Sequence, residues 1–186
     1  MSNESLQITS DEQRALERFY FHEARLLDTR QYLQWLGLLT EDVRYLIPSR
    51  VNAQVDNRAR GSEAMIHPDR ELEDEASMGC PLREEGYVLL TVRAERAYKI
   101  NSWSEHPPAR TRRIVGNIEL MAREGDRLSV LNNFHLYYAR PGNAQVTYSG
   151  QRRDTLLDAP DGYRIQRREV ILDYADIELP TVGLFF

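Results

Sequence analysis

The second half of the chain contains four long stretches in which apolar and polar residues alternate. The apolar positions of the first two stretches are Ile114, Ile118, Leu120 and Ala122, and then Leu128, Val130, Phe134, Leu136 and Tyr138. The other two stretches span about 144–157 and 163–174. The turn-forming sequences EGD, RPGN and APDG separate the four stretches. A period of two predicts strands, and tight turns between consecutive strands predict an antiparallel meander.

Helical patterns occupy the start of the chain. Ser10 and Gln13 have the spacing of a capping box, and apolar residues then recur every three or four positions, which predicts a helix from about Asp11 to Leu27. Asp28 and Thr29 can cap a second, short helix. The apolar stripe of this second helix consists of Tyr32, Leu33, Leu36 and Leu39. Two helices are therefore expected before the first strand.

The middle of the chain gives weaker signals. The sequence DVRYLIPSR alternates, and Pro48 limits it to a short or edge strand. Residues 52–81 lack periodicity and are predicted as one long loop with an acidic run at 69–75. Residues 82–99 are predicted as a helix, although YVLLTV within this range equally fits a strand.

Helices first and a meander last define the α+β class, with N-terminal helices packed on one face of a curved, mainly antiparallel sheet. The length of 186 residues fits a single domain over residues 1–186, with residues 1–10 as an N-terminal arm.

The composition excludes several classes of protein. The net charge is -5, so the chain as a whole does not attract polyphosphate, which argues against a nucleic-acid partner. Cys80 is the only cysteine, which rules out an internal disulfide framework and fits a cytoplasmic location. The polar start of the sequence and the lack of a long apolar run predict neither secretion nor a membrane span.

Catalytic motifs are sparse. No Walker loop, G-x-G-x-x-G, G-x-S-x-G or paired metal-ligand motif is present, so the sequence predicts no nucleotide, no metal and no cofactor in this chain. The first helix nevertheless carries Tyr20, His22, Glu23 and Asp28, which His135 could join as general acids or bases in a pocket between helix and sheet. The alternative, which we favour, is that His22 and Glu23 are boundary residues or partners in salt bridges.

Arginines concentrate before the first long strand, in SWSEHPPARTRR. On a strand, Arg110 and Arg112 would point to one side and Arg113 to the other. Because arginine and tryptophan are enriched at protein interfaces, we predict a subunit contact that includes Trp103, Arg110 and Arg112.

Two further groups of residues fit a contact. Arg152, Arg153, Arg167 and Arg168 indicate either a solvated face or a surface for an acidic partner, such as the acidic run of a neighbouring copy. The apolar ending LPTVGLFF, with Phe185 and Phe186, must dock either within the chain or on another subunit.

Several blocks together carry a family resemblance. FYFHEARLLDTRQYLQWLGLLTEDVRYLIPSR, SEHPPARTRRIVGNIEL, GQRRDTL and the terminal GLFF resemble the small (β) subunit of aromatic-ring-hydroxylating Rieske dioxygenases, with the benzene and biphenyl types as the nearest branch. The resemblance covers about Arg18 to Phe186.

The resemblance implies a cystatin-like or NTF2-like cone, in which helices pack into a strongly curved sheet. It also implies an α3β3 hexamer in which this chain is a non-catalytic, structural subunit that contacts the large α subunit and other β chains. The [2Fe–2S] Rieske cluster and the mononuclear Fe(II) are expected in the α subunit, which would receive electrons from NADH through a reductase for cis-dihydroxylation of an aromatic compound. The expected interface residues are Trp103, Arg110, Arg112, Arg152, Arg153, Phe185 and Phe186.

Two other hypotheses remain open at the level of sequence. One is a stand-alone isomerase, dehydratase or cyclase of the cone fold that acts on a hydrophobic small molecule through His22, Asp28 or His135. The other is a free-standing binding or dimerisation module of the same fold.

Overall fold

Most strands of the molecule belong to one sheet. The computed structural model describes residues 8–52, 55, 57–73, 79–102, 105–175 and 184–186. In chain order the strands are β1 (Leu39–Ile47), β2 (Ser49–Arg50), β3 (Leu72–Glu73), β4 (Arg83–Glu85), β5 (Arg110–Glu124), β6 (Arg127–Ala139), β7 (Val146–Ala159) and β8 (Gly162–Leu172). The main sheet has the order β4-β1-β8-β7-β6-β5, and β2 and β3 form a second, two-stranded sheet among the described residues. Strands β5 to β8 form the predicted antiparallel meander, and β1 runs parallel to β8.

Strand β1 was expected to be short or at an edge, and this prediction is wrong. It is nine residues long and lies between β4 and β8. Pro48 follows the last residue of β1 directly, so its missing N–H removes no hydrogen bond from the ladder. The side chains of Val43, Tyr45 and Ile47, which alternate with Arg44 and Leu46, are buried.

Strand β5 changes the face that it presents to the core halfway along its length. Arg113 and Val115 are buried, but beyond Asn117 the more buried side chains are Ile118 and Leu120. A register shift between Gly116 and Glu119 marks a bulge, at which Asn117 has a φ of 51°. Ile114 is therefore 70% exposed, and the prediction that it shares a side with Ile118 is wrong.

In the described part of the chain, three α-helices accompany the sheet: α1 (Ser10–Asp28), α2 (Tyr32–Leu36) and α3 (Tyr87–Arg96). The N-cap of α1 is Thr9, whose hydroxyl accepts from the N–H of Glu12 at 3.2 Å, instead of the predicted Ser10. The T-x-x-E spacing of Thr9 and Glu12 lies one residue before the S-x-x-Q spacing of Ser10 and Gln13, and this offset explains the error.

The second and third helices are shorter than predicted. Leu39 begins β1, and Leu33 is 57% exposed, so neither belongs to a buried stripe of α2. The predicted helix over residues 82–99 is correct only for Tyr87–Arg96, because residues 83–85 pair with β1 as β4. Gly86 separates this strand from the helix and serves as the N-cap.

The predicted long loop contains local structure in its described part. Three 3-10 turns cover Asn57–Ala59, Glu63–Ile66 and Pro68–Glu71. Glu71 accepts hydrogen bonds from Arg50, with a shortest distance of 2.7 Å, and Asp69 pairs with Arg153. The acidic run is thus bound to its own chain at these two positions, and residues 74–75 lie outside the described part.

Helix α1 protects the edge of the sheet. Strand β5 is an edge strand, but the side chain of Gln13 donates to the Ile118 carbonyl at 3.0 Å, and the carboxylate of Asp28 accepts from the Arg113 N–H at 2.8 Å. Covering an edge strand with a helix prevents uncontrolled strand pairing. Within the described residues, no helix combines the length and apolarity that crossing a membrane requires.

Candidate functional site

The space between α1 and the sheet holds four buried charged side chains, Glu23, Arg152, Asp154 and Arg168, which we name the central ion cluster. Each is at most 3% exposed. Arg168 bridges both acids, with 2.5 Å between its Nη1 and Glu23 Oε1 and 2.7 Å between its Nη2 and Asp154 Oδ2. Arg152 lies farther away, with its Nη1 3.4 Å from Glu23 Oε2. Two positive and two negative groups therefore balance inside the protein.

The strand alternation places these side chains inward. Gly150, Arg152, Asp154 and Leu156 all lie on the buried side of β7. Arg168 is opposite Asp154 in the register of β7 and β8. Glu23 is on the same helix face as Leu16, Tyr20 and Leu27, at positions separated by three or four residues. The period that buries the apolar core thus also buries the ion cluster.

The ion cluster controls the protonation of its members. Burial alone would raise the pKa of Glu23, but the guanidinium groups of Arg168 and Arg152, with hydrogen bonds from Arg168 and Trp35, hold this pKa at about 2. Burial and then the Arg168 charge lower the pKa of Arg152 to about 10. Burial and the neighbouring Asp154, which accepts from the Tyr20 hydroxyl at 2.9 Å, raise the pKa of Tyr20. At neutral pH Glu23, Arg152 and Arg168 are therefore charged, and Tyr20 holds its proton.

The last three residues of the chain close the space above the ion cluster. The Phe186 carbonyl accepts from the Tyr45 hydroxyl at 3.1 Å, and the Phe185 carbonyl accepts from Arg113 at 2.5 Å. The Phe185 ring lies 4.5 Å from the Trp35 ring. Both phenylalanines are 1% exposed, so residues 184–186 dock within the chain. The expectation that Phe185 and Phe186 face another subunit is wrong for this reason.

The structure does not bring the predicted catalytic residues together. His22 is bound to Arg25 at 2.8 Å between their nitrogens near the helix surface, whereas His135 is exposed on the outer face of β6. Asp28 accepts from Arg113 and from the Thr111 hydroxyl, the latter at 3.0 Å. Tyr20 and Glu23 belong to the buried network around the ion cluster.

The predicted interface arginines separate into two groups. Arg110 and Arg112 are exposed, while Arg113 points to the opposite side, as the alternation predicted. Arg152 is 1% exposed inside the ion cluster, so the prediction that it lies on a surface is wrong. Arg153 faces outward but pairs with Asp69 of its own chain. Trp103 lies outside the described residues.

The exposed arginines have exposed neighbours on the outer face of the sheet. Arg112 is opposite Tyr137 in the register of β5 and β6, and Ile114 is the next outward residue of β5. Tyr137 is 40% exposed and Ile114 is 70% exposed. We name Arg110, Arg112, Ile114 and Tyr137 the outer-face patch. Among the described residues, neither of its arginines has a hydrogen-bond or ion-pair partner.

Sequence reasoning missed two features of these sites. Asp154 was not recognised as a partner of the arginines, although it alternates with Arg152 and Leu156 on β7. Tyr137 was not assigned to the arginine surface, because its neighbour across the strands depends on the register of the hairpin. In the part of the chain that the structure describes, no group of three His, Cys, Asp or Glu side chains is arranged to hold a metal ion.

Comparison with known proteins identifies relatives over nearly the whole chain. The family model described as ring hydroxylating beta subunit matches residues 22–178. The benzene 1,2-dioxygenase subunit beta of Pseudomonas putida is 30% identical over 180 residues, covering 94% of this chain and 88% of the relative. The N,N-dimethyl phenylurea N-demethylase subunit beta of Sphingobium sp. (strain YBL2) is 31% identical over 172 residues, covering 90% of this chain and 88% of the relative.

Solved structures share the fold. A chain of naphthalene 1,2-dioxygenase with indole bound in the active site aligns with a TM-score of 0.77 at 20% identity, covering 98% of this chain and 89% of that chain. An NTF2-like protein with a cystatin-like fold from Novosphingobium aromaticivorans aligns with a TM-score of 0.56 at 13% identity, covering 89% and 84%. The predicted fold class is confirmed. The family match over most of the sequence and the relatives at 30% identity or more show that this chain belongs to the ring-hydroxylating β-subunit family.

Proposed function

We propose that this chain is the non-catalytic, structural β subunit of a multicomponent oxygenase that cis-dihydroxylates an aromatic compound. In this proposal a larger α subunit holds the Rieske [2Fe–2S] cluster and the mononuclear Fe(II) and receives electrons from NADH through a reductase. The assembly is an α3β3 hexamer in the cytoplasm, where the exposed, free thiol of Cys80 stays reduced.

The observation that carries the proposal is the filled interior. A stand-alone enzyme of this fold would need a substrate pocket between helix and sheet beside its acid or base. Here the central ion cluster and Phe186 occupy that space, and Glu23 and Arg168 are completely buried. His22 and His135 lie away from it, so the interior offers stability rather than a reaction site.

The names of the relatives support a catalytic centre outside this subunit. One relative is named for a benzene dioxygenase and another for an N-demethylase, yet both are about equally similar to this chain, at 30% and 31% identity. A β subunit whose sequence is about equally similar to relatives named for different reactions fits a structural role.

The outer-face patch is the surface that we assign to the α subunit. Exposed aromatic, aliphatic and arginine side chains are the types enriched in the centres of protein interfaces. Arg110 and Arg112 lack partners among the described residues, so each is available to a carboxylate of the partner. Phe21, which is 51% exposed, extends the apolar surface beside Ile114 around a shared groove.

The test is affinity purification of the tagged chain from its native cell extract, with iron and sulfide analysis of what co-purifies. We expect a larger, iron-containing protein at a one-to-one ratio with the visible spectrum of a Rieske cluster. Recovery of the chain alone and colourless would contradict the proposed function.

Variants of the same chain test the proposed surface. Arg112→Glu should weaken association with the α subunit by about thirtyfold, the equivalent of about 2 kcal/mol for an interface anchor. The control is Arg167→Glu, an exposed arginine on β8, which should associate as the wild type does. Equal association constants for wild type and Arg112→Glu would remove the patch from the interface without affecting the proposed function.

A further inference from the structure

A cavity lies at the open end of the cone, between the start of α2, the end of α3 and the ends of β5 and β6 that adjoin residues 105–109. Its volume is about 190 Å³. We name it the mouth cavity. None of the predicted catalytic residues Tyr20, His22, Glu23, Asp28 and His135 lines it. It is therefore distinct from the central ion cluster, and of the acid–base candidates Asp28 contacts its lining residues Thr111 and Arg113 from outside the lining.

Two buried donors border the mouth cavity and have no hydrogen-bond partner among the described residues. The Tyr138 hydroxyl and the Arg113 Nε are both buried, and neither has a hydrogen-bond partner among the described residues. Tyr138 is 1% exposed and Arg113 is 7% exposed. Thr111 is opposite Tyr138 in the register, and Arg113 is the next inward residue of β5, so both donors lie on the same side of neighbouring strands. A buried hydrogen-bond donor without an acceptor raises the free energy of the folded state. A ligand that places an acceptor atom beside these donors is therefore favoured.

Part of the remaining wall is aromatic and apolar. Tyr32 lies 5.6 Å from Phe185 and 6.2 Å from Tyr98 between ring centroids, and all three line the cavity. Ala97 and Leu184 add apolar surface. Such walls match the face and edges of an aromatic ring.

The charges around the mouth cavity balance. Arg30 and Arg113 line it together with Glu105, and Asp28 neutralises Arg113 from behind. An uncharged ligand therefore fits better than an anion. The volume sets the size of the ligand, since an apolar cavity of about 150 Å³ is known to bind benzene.

We infer that the mouth cavity binds one small, uncharged aromatic molecule of the phenol class, whose oxygen accepts hydrogen bonds from Tyr138 and Arg113. The ring lies among Tyr32, Tyr98 and Phe185. Binding involves no covalent step and no residue of the outer-face patch, so it does not depend on the proposed partner.

The experiment is a calorimetric titration of the full-length chain with phenol, repeated with benzene as the matched probe that lacks an acceptor. We expect one phenol per chain. Tyr138→Phe should weaken phenol binding by about five- to tenfold, the effect of one hydrogen bond, and should leave benzene binding unchanged. Tyr174→Phe is the control, because this tyrosine is 46% exposed and does not line the mouth cavity.

A second variant tests where the ligand binds, because it fills the cavity with a larger side chain. Ala97→Phe should fill the mouth cavity and abolish the binding of both phenol and benzene, with a circular dichroism spectrum identical to that of the wild type. If phenol showed no saturable binding at millimolar concentration, the inference would be wrong, and water would be the partner of the two donors. Equal phenol affinities for wild type and Tyr138→Phe would also overturn it. Either result would leave the co-purification test of the proposed function unaffected.

Discussion

Each charged residue of the central ion cluster affects the stability of the charged residues beside it. Glu23 is completely buried and accepts hydrogen bonds from Arg168 and Trp35, the latter at 3.0 Å, while Arg152 lies beside it. Removing one charge of a buried pair leaves the opposite charge without compensation, which costs more than the pair itself contributes. Neutralising any one member of the cluster is therefore expected to destabilise the protein, although the net charge of the cluster is zero.

The first prediction concerns Glu23 and acid. Its pKa is about 2 in the folded chain and 4.5 as its ordinary value, so its stabilisation is complete above pH 4.5 and disappears as the pH falls to about 2. The difference corresponds to about 3 kcal/mol of unfolding free energy. Glu23→Gln should remove this acid dependence and lower the free energy of unfolding at pH 7 by about 3 to 5 kcal/mol.

Urea denaturation of wild type and Glu23→Gln at pH 7, 4.5 and 3 checks this prediction. Glu119→Gln is the control, because Glu119 is exposed on β5 and should retain the wild-type stability and its pH dependence. If wild type and Glu23→Gln lost stability in parallel between pH 4.5 and pH 3, the assigned role of Glu23 would be wrong.

The residues of the ion cluster also show how much of the site could be predicted from the sequence. Charged side chains are rarely buried, so Arg152 and Arg168 were assigned to a surface. The inward alternation of Arg152 with Asp154 and Leu156 was present in the sequence, but only the register with β8 shows that Asp154 meets Arg168. By contrast, the opposite orientations of Arg112 and Arg113 follow from strand periodicity alone and were predicted correctly.

Strands are the elements that the sequence predicted best. All four strands of the meander were found because their turns carry Gly, Pro, Asn and Asp between alternating stretches. The sequence analysis missed the β5 bulge, although Gly116, a residue type that often marks a bulge within a strand, stands beside Asn117, a residue type that tolerates a positive φ. The sequence predicts a helix over the short β4. A strand of three residues shows no recognisable pattern of its own, and only its pairing with β1 defines it.

The second prediction concerns this bulge in β5. Asn117 is exposed at a φ of 51°, so a β-branched residue at this position is strained by its backbone and not by its packing. Asn117→Val should lower the unfolding free energy by about 1 to 2 kcal/mol, which corresponds to a fall in melting temperature of about 4 °C. Asn117→Gly should equal or exceed the wild-type stability.

Thermal unfolding by circular dichroism measures both changes. The control is Glu119→Val, which places the same side chain at an exposed position two residues further along β5, beyond the positive φ. A melting temperature for Asn117→Val equal to that of Glu119→Val would contradict the assignment of strain to the bulge.

The whole molecule combines a filled interior with a partly unpaired exterior. The ion cluster and residues 184–186 fill the cone and join α1, β1, β7 and β8 through hydrogen bonds and ion pairs. The outer-face patch and the mouth cavity remain available to other molecules. A protein with a filled interior of this kind can support a catalytic partner without supplying any reacting group, as the proposed function requires.

The last prediction follows from this division. His22 lies near the helix surface beside Arg25, and His135 is exposed on the outer face of β6, so neither borders an interior site where a substrate could react. In the purified complex with the iron-containing subunit, His22→Ala and His135→Ala should each give the wild-type rate of product formation per iron. The measurement is turnover on the substrate of the native complex, with mass and iron content determined on the same sample. A lower rate in a complex of wild-type mass and iron content would assign a histidine of this chain to the reaction and would favour a catalytic β subunit. A lower rate accompanied by lost mass would instead identify that histidine as part of the assembly surface.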